Sequence, residues 1–100
     1  MIYITQLIYV TEGQQEVFNQ FEDMAIPIIS KYKGKLLLRA RTPVENVIEA
    51  GIEIPYEVHI ISFESPADFE AFKLDEERRK YLHLKEQSIR SVLLIKGEQI

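Results

Sequence analysis

The chain contains no cysteine in its 100 residues. That removes disulfides, a thiolate nucleophile and cysteine metal sites together, and it is compatible with a reducing cytoplasm. Histidine is nearly absent too: His59 and His83 are the only two, and no His-x-His or Glu-x-x-His spacing joins either to a second ligand. No metal is therefore expected. Lys and Arg number 12 against 16 Asp and Glu, a net charge of −4, which excludes the basic footprint of a nucleic-acid binder. Gly13, Gly34, Gly51 and Gly97 stand alone in the sequence, so none builds a phosphate-cradling loop. Ser62, Ser65 and Ser91 have no histidine and acid at a readable spacing, so a hydrolase triad is unsupported. No apolar run approaches the ~18 residues that span a bilayer. The opening MIYITQLIYV lacks the basic start and small-residue cleavage site of a signal peptide and reads as a strand. A cytoplasmic protein with no membrane or nucleic-acid partner is expected.

What is present is an ordinary globular composition, 46% hydrophobic and 28% charged, over a length that fits one domain, residues 1–100. Ile2–Val10 is β-branched and aromatic throughout and ends in the turn chemistry of Thr11-Glu12-Gly13. The period then changes. Val17, Phe18, Phe21, Met24, Ala25, Ile28 and Tyr32 recur at three-to-four-residue spacing, with Glu22 and Asp23 read as off the stripe, which predicts an amphipathic helix. Pro27 predicts a kink near Met24–Ala25, and Gly34 a stop. Lys35–Arg41, Tyr56–Phe63 and Ser91–Lys96 read as three more strands. Thr42 to Pro55 is irregular but apolar, a packed loop or an extension over a neighbouring subunit. Ser65-Pro66-Ala67-Asp68 is a helix start, and Asp75 with Glu76-Glu77 behind it offers a second.

The order β-α-β-β-α-β predicts an α+β, ferredoxin-like domain: a four-stranded antiparallel sheet with two helices on one face. Strand parity leaves the other face partly apolar, through Leu7, Leu37, Ile61, Phe63, Leu93 and Ile95. A sheet with one wet face alternates more strictly than this. The expected cover is a second copy of the chain, making a homodimer.

Three stretches carry a resemblance. They are the opening strand running into Thr11-Glu12-Gly13-Gln14-Gln15-Glu16-Val17-Phe18; Ile26-Pro27-Ile28-Ile29-Ser30-Lys31-Tyr32-Lys33-Gly34-Lys35-Leu36; and Ile61–Ser65 through Phe69, Phe72 and Asp75 to Leu94-Ile95-Lys96-Gly97. In these the chain resembles the dimeric α/β-barrel superfamily, specifically its small uncharacterised stand-alone domains, with antibiotic-biosynthesis-monooxygenase-like and NIPSNAP-like families as cousins. The resemblance implies two sheets packed face to face around a lumen. It also implies a range of activities, among them cofactor-independent oxygenases, haem-degrading enzymes and isomerases. The haem-degrading pattern of an Asn with a Trp does not transfer, because no Trp occurs and Asn19 and Asn46 fall on a helix and in a loop.

On the third strand Glu57, His59, Ile61 and Phe63 share a face, as do Lys35, Leu37, Arg39 and Arg41 on the second. These mixed sets are expected to line the lumen, with Tyr3 and Tyr9 from the first strand. The candidate catalytic residues are His59 as base and Arg39 as charge stabiliser, and Tyr3, Tyr9, Glu57 and Phe63 are candidate ligand contacts. Such a set suits a small aromatic or carbonyl compound, handled by an oxygenase-like or isomerase-like enzyme without a cofactor. The competing reading makes His59 and the arginines structural or interface residues of a non-catalytic dimeric ligand-binding or interaction module. His83 reads as a solvated helix residue.

Overall fold

In the computed structural model, residues 1–98 are described; the last two positions of the expected 1–100 domain lie outside them. The elements are β1 (Ile2–Val10), α1 (Gln15–Ala25), a 3₁₀ helix (Ile26–Tyr32), β2 (Gly34–Arg41), a short 3₁₀ turn (Val44–Asn46), β3 (Glu57–Phe63), α2 (Pro66–Lys73), α3 (Glu76–Arg79), α4 (Leu82–Ser88) and β4 (Ile89–Glu98). The sheet order is β2-β3-β1-β4 and every pairing is antiparallel. This is the ferredoxin-like α+β architecture that the element order predicts. No helix among the described residues is long and apolar enough to cross a membrane.

Local chemistry accounts for the boundaries. Pro27 has no N–H to give to the preceding turn, so α1 ends at Ala25 and continues as a 3₁₀ run. That run closes on Lys33, which is left-handed at φ 60°. Gly34, expected as the stop, opens β2 instead and is there for space: a Cβ would lie 2.5 Å from Ile29 Cγ2 and 2.6 Å from Phe63 Cε1. Ser65 caps α2, accepting from the Asp68 N–H, and Pro66 takes the first helical position. Asp75 caps α3 through the Arg78 N–H at 2.9 Å and also accepts from the Tyr32 hydroxyl. The second helical region is therefore three short helices rather than one.

The core lies between sheet and helices. Ile2, Ile4, Ile61 and Phe63 rise from the strands to meet Ile28, Ile29, Phe69 and Phe72. Burying each such aliphatic or aromatic side chain contributes about 1.5–3 kcal/mol. Here the parity assignment needs correction. Ile61 and Phe63 were expected in the lumen, but they sit opposite Ile4 and Ile2 and pack under the helices. Glu57 and His59, four and two residues before Ile61, go with them, opposite Ile8 and Gln6.

β2 carries an irregularity that matters for the site. Leu36 pairs with Ile61 and Leu38 with Ile60, so Leu37 is an extra residue, a β-bulge. Before the bulge Lys35 is on the open face, opposite Ser62. After it the phase changes, and Arg39 and Arg41 fall on the helix side, opposite His59 and Glu57. The open face keeps Leu7, Leu38, Val58, Ile60, Leu93 and Ile95. Leu38, Leu93 and Ile95 remain 46%, 49% and 50% exposed.

Candidate functional site

Glu57 and His59 are spaced i, i+2 on β3, so both side chains leave the same face of the strand. Cross-strand pairing then brings Arg39 beside His59 and Arg41 beside Glu57. The result is a four-residue cluster centred on one carboxylate. Glu57 Oε2 accepts from Arg39 Nε at 2.7 Å and meets His59 Nε2 at 2.5 Å, while Oε1 accepts from Arg41 Nε at 2.8 Å. Glu57 and His59 are both almost wholly buried, at 1% and 2% exposure. Burial by itself raises the pKa of Glu57. The hydrogen bonds from His59, Arg39 and Arg41 outweigh it and hold the carboxyl down at about 2. Since ionised Glu57 can only accept, His59 Nε2 is the donor in their contact.

A second buried acid completes the site. Glu22 is on α1 among the buried Phe18, Phe21 and Ala25. Burial raises its pKa, only partly opposed by the charges of His59 and Arg39. It makes no side-chain hydrogen bond among the described residues, although it is only 6% exposed. Arg78, on α3, lies over the Phe72 ring at 5.1 Å, and its buried Nε has no partner. Gln6, Phe21, Glu22, His59 and Arg78 line a small cavity of about 40 Å3, room for a water-sized group. Gln6, Phe21, Glu22 and Arg78 also line an adjoining cleft of about 260 Å3. Lys85 of α4 also lines it, and burial lowers its pKa. Two acids whose pKa values are displaced in opposite directions, a histidine held through Nε2 and two partly desolvated cations thus converge between the layers. Groups of this kind suit proton transfer and the holding of a small anion or enolate.

The predicted residues divide accordingly. His59, Arg39 and Glu57 are brought together as expected, but on the helix side of the sheet rather than in the lumen. Phe63 is a core residue, 0% exposed. Tyr3 is on the open face, opposite Ser62 and Gly97. Tyr9 stands apart at the end of the sheet, its hydroxyl donating to the Glu53 carbonyl at 2.9 Å. Glu22, Gln6, Arg78 and Lys85 were not singled out by the sequence. The signal for Glu22 was there, because positions 18, 21, 22 and 25 follow the spacing of the apolar stripe. Gln6 was legible as a polar residue that parity places under the helices. Among the described residues no group of three or more His, Asp or Glu is placed to hold a metal.

Neither a protein-family model nor a curated protein matches the sequence. Solved structures do. A protein of unknown function from Rhodopseudomonas palustris is 16% identical with a TM-score of 0.82, covering 99% of this chain and 82% of its own. A NIPSNAP family protein of unknown function from Agrobacterium tumefaciens is 18% identical with a TM-score of 0.73, covering 99% and 87%. A dimeric protein of unknown function with a ferredoxin-like fold, from Bacteroides fragilis, is 11% identical with a TM-score of 0.71, covering 98% and 95%. The chain thus has the ferredoxin-like fold found in NIPSNAP-family structures, and at these identities the likeness is one of fold.

Proposed function

We propose that the protein is a homodimeric α/β barrel and a small-molecule enzyme, isomerase-like in its chemistry, that moves a proton on a carbonyl compound held between sheet and helices. The observation that carries this reading is the buried His59, oriented by a Glu57 that three donors keep ionised, on the same cavity wall as the unpaired Glu22. Orientation of a base by a hydrogen-bonded carboxylate is how imidazole is held ready for proton abstraction. In this reading the body of the compound fills the 260 Å3 cleft, with its carbonyl toward Arg78 and Lys85. His59 Nδ1 removes a proton from the carbon next to the carbonyl. The electron pair passes to the carbonyl oxygen, and the enolate so formed is stabilised by the two cations. Glu22, which burial keeps toward its neutral form, supplies the returning proton. Arg39 contributes as a positioning residue, since its Nε is committed to Glu57. No cofactor is invoked, and the cysteine-free composition favours a reducing, cytoplasmic setting.

The homodimer is supported by the open apolar face and by the dimeric state named for the Bacteroides fragilis protein. That same face favours a second reading, a non-catalytic dimeric module in which assembly itself is the function.

Keto–enol exchange separates the two. Wild-type protein is incubated with phenylpyruvate or pyruvate in D2O, and loss of the exchangeable proton signal is followed by NMR. Protein-dependent exchange that disappears in His59→Gln and Glu22→Gln, with the dimer intact, is the expected result. No exchange above buffer in the wild type, or equal exchange in His59→Gln, overturns the enzymatic reading.

A further inference from the structure

A separate cleft of about 460 Å3 opens at the end of the sheet, between β1 and the 42–56 loop, a volume within the range of small-molecule sites, ~300–1,000 Å3. Its walls are built from two tyrosine rings with an arginine over each. The Arg41 guanidinium lies 4.5 Å from the centre of the Tyr56 ring, and that of Arg90 lies 5.7 Å from the Tyr9 ring. Arg41 is pinned from two further sides, its Nε on Glu57 and its Nη2 on Asn19 at 2.9 Å. Tyr9 is buried and anchored through its hydroxyl to the loop at Glu53. Tyr56 packs edge-on to Phe18 at 5.8 Å. These groups are therefore held in place before any ligand arrives, which lowers the entropic cost of binding.

Neither guanidinium is fully bonded within the chain. Arg41 has one terminal nitrogen without a bond among the described residues, and Arg90 commits only Nη2, to Glu53 at 2.6 Å. The Arg90–Glu53 pair is about half exposed on each side, and an exposed pair of this kind is worth little. An incoming carboxylate can take its place on Arg90. Val10, Ile54 and Pro55 supply apolar wall between the two cations.

We infer that this cleft binds a small aromatic carboxylate, its ring packed by Tyr9 and Tyr56 and its carboxylate held by Arg90 and the free nitrogen of Arg41. The inference goes beyond the proton-transfer reading and does not depend on it, because the cleft shares no wall residue with the Glu22–His59 cavity.

The probe is benzoate, with benzamide as its uncharged counterpart, titrated into the full chain and followed by amide chemical shifts. Expected are saturable shifts at Tyr9, Thr42, Tyr56 and Arg90 for benzoate, with benzamide binding about tenfold more weakly, the scale of one lost charge-assisted contact. Arg90→Gln, a change at a half-exposed position, weakens benzoate by a similar factor. The inference is overturned by any of three results. One is no saturable shift up to about 10 mM benzoate, a concentration well above a millimolar Kd. The second is equal binding of benzoate and benzamide. The third is shifts centred on Glu22, Arg78 and Lys85, which would assign the anion to the interlayer cleft instead.

Discussion

Replacing Glu57 by Gln changes one buried atom pair and tests the centre of the polar cluster. The amide has nearly the same shape but a single acceptor oxygen, where the carboxylate serves three donors, Arg39 Nε, Arg41 Nε and His59 Nε2. At least one donor of the three must then face the amide NH2. The loss can be scaled from the carboxyl itself. Its pKa stands at about 2 in the folded chain against an ordinary 4.5, which corresponds to about 3 kcal/mol of stabilisation. For a domain of this length that is a fall in Tm of roughly 12–24 °C. The sign with pH follows from the direction of the displacement. A carboxylate with a lowered folded pKa contributes in full above its unfolded value and loses that contribution as pH falls through its folded value. The Tm gap between wild type and Glu57→Gln is therefore widest above pH 5 and narrows steadily toward about pH 2. Thermal melts by circular dichroism, at matched protein concentration because a dimer's Tm depends on it, give both numbers. A gap below about 3 °C at neutral pH, or one that stays constant between neutral and acid pH, refutes the assignment of Glu57 as an ionised, three-fold acceptor.

Gly34→Ala is expected to cost about 1–3 kcal/mol in the same melts, because the new methyl would meet the backbone oxygen of Ile29 at 2.9 Å as well as two packed side chains; an unchanged Tm would show that β2 can move away from the 3₁₀ run. Leu93→Asp and Ile95→Asp place a charge on the open face without touching the core. Each is expected to convert a dimer to a folded monomer in sedimentation or light scattering, and a variant that remains dimeric at micromolar concentration removes this face as the interface.

The outline of the fold was legible because periodicity and punctuation agree along this chain. Ile2–Val10 matches β1 residue for residue, and Pro27, Ser65-Pro66 and Asp75 mark helix boundaries by mechanisms that need no tertiary information. The side of the sheet on which the polar cluster lies was not legible, for two physical reasons. β3 is apolar on both faces, so its parity gives two sets but not their destinations. Glu57 and His59 made their set look outward-facing, whereas mutual hydrogen bonding and two cross-strand arginines make their burial tolerable. On β2 the bulge at Leu37 has no sequence marker, since Leu36, Leu37 and Leu38 are identical. An unmarked phase change cannot be inferred from alternation. Arg39 was nonetheless grouped with His59, and two signs of a polar interior lay in the spacing: Glu22 on the apolar stripe of α1 and Gln6 in phase with Ile4 and Ile8 on β1.

That single supernumerary residue in β2 also sorts the charges of the whole molecule. Because the strand shifts by one position at Leu37, Arg39 and Arg41 turn inward to Glu57, while Leu38 and Ala40 face outward with Val58 and Ile60. Strict alternation along the same eight residues of β2 would leave composition, length and hydrophobicity untouched. It would withdraw both guanidiniums from a buried anion and set them on the open face of the sheet. The inward charges of β2 thus hang on one unpaired leucine, and deleting that residue would leave a regular ladder with Leu36 still opposite Ile61 and Arg39 still opposite His59.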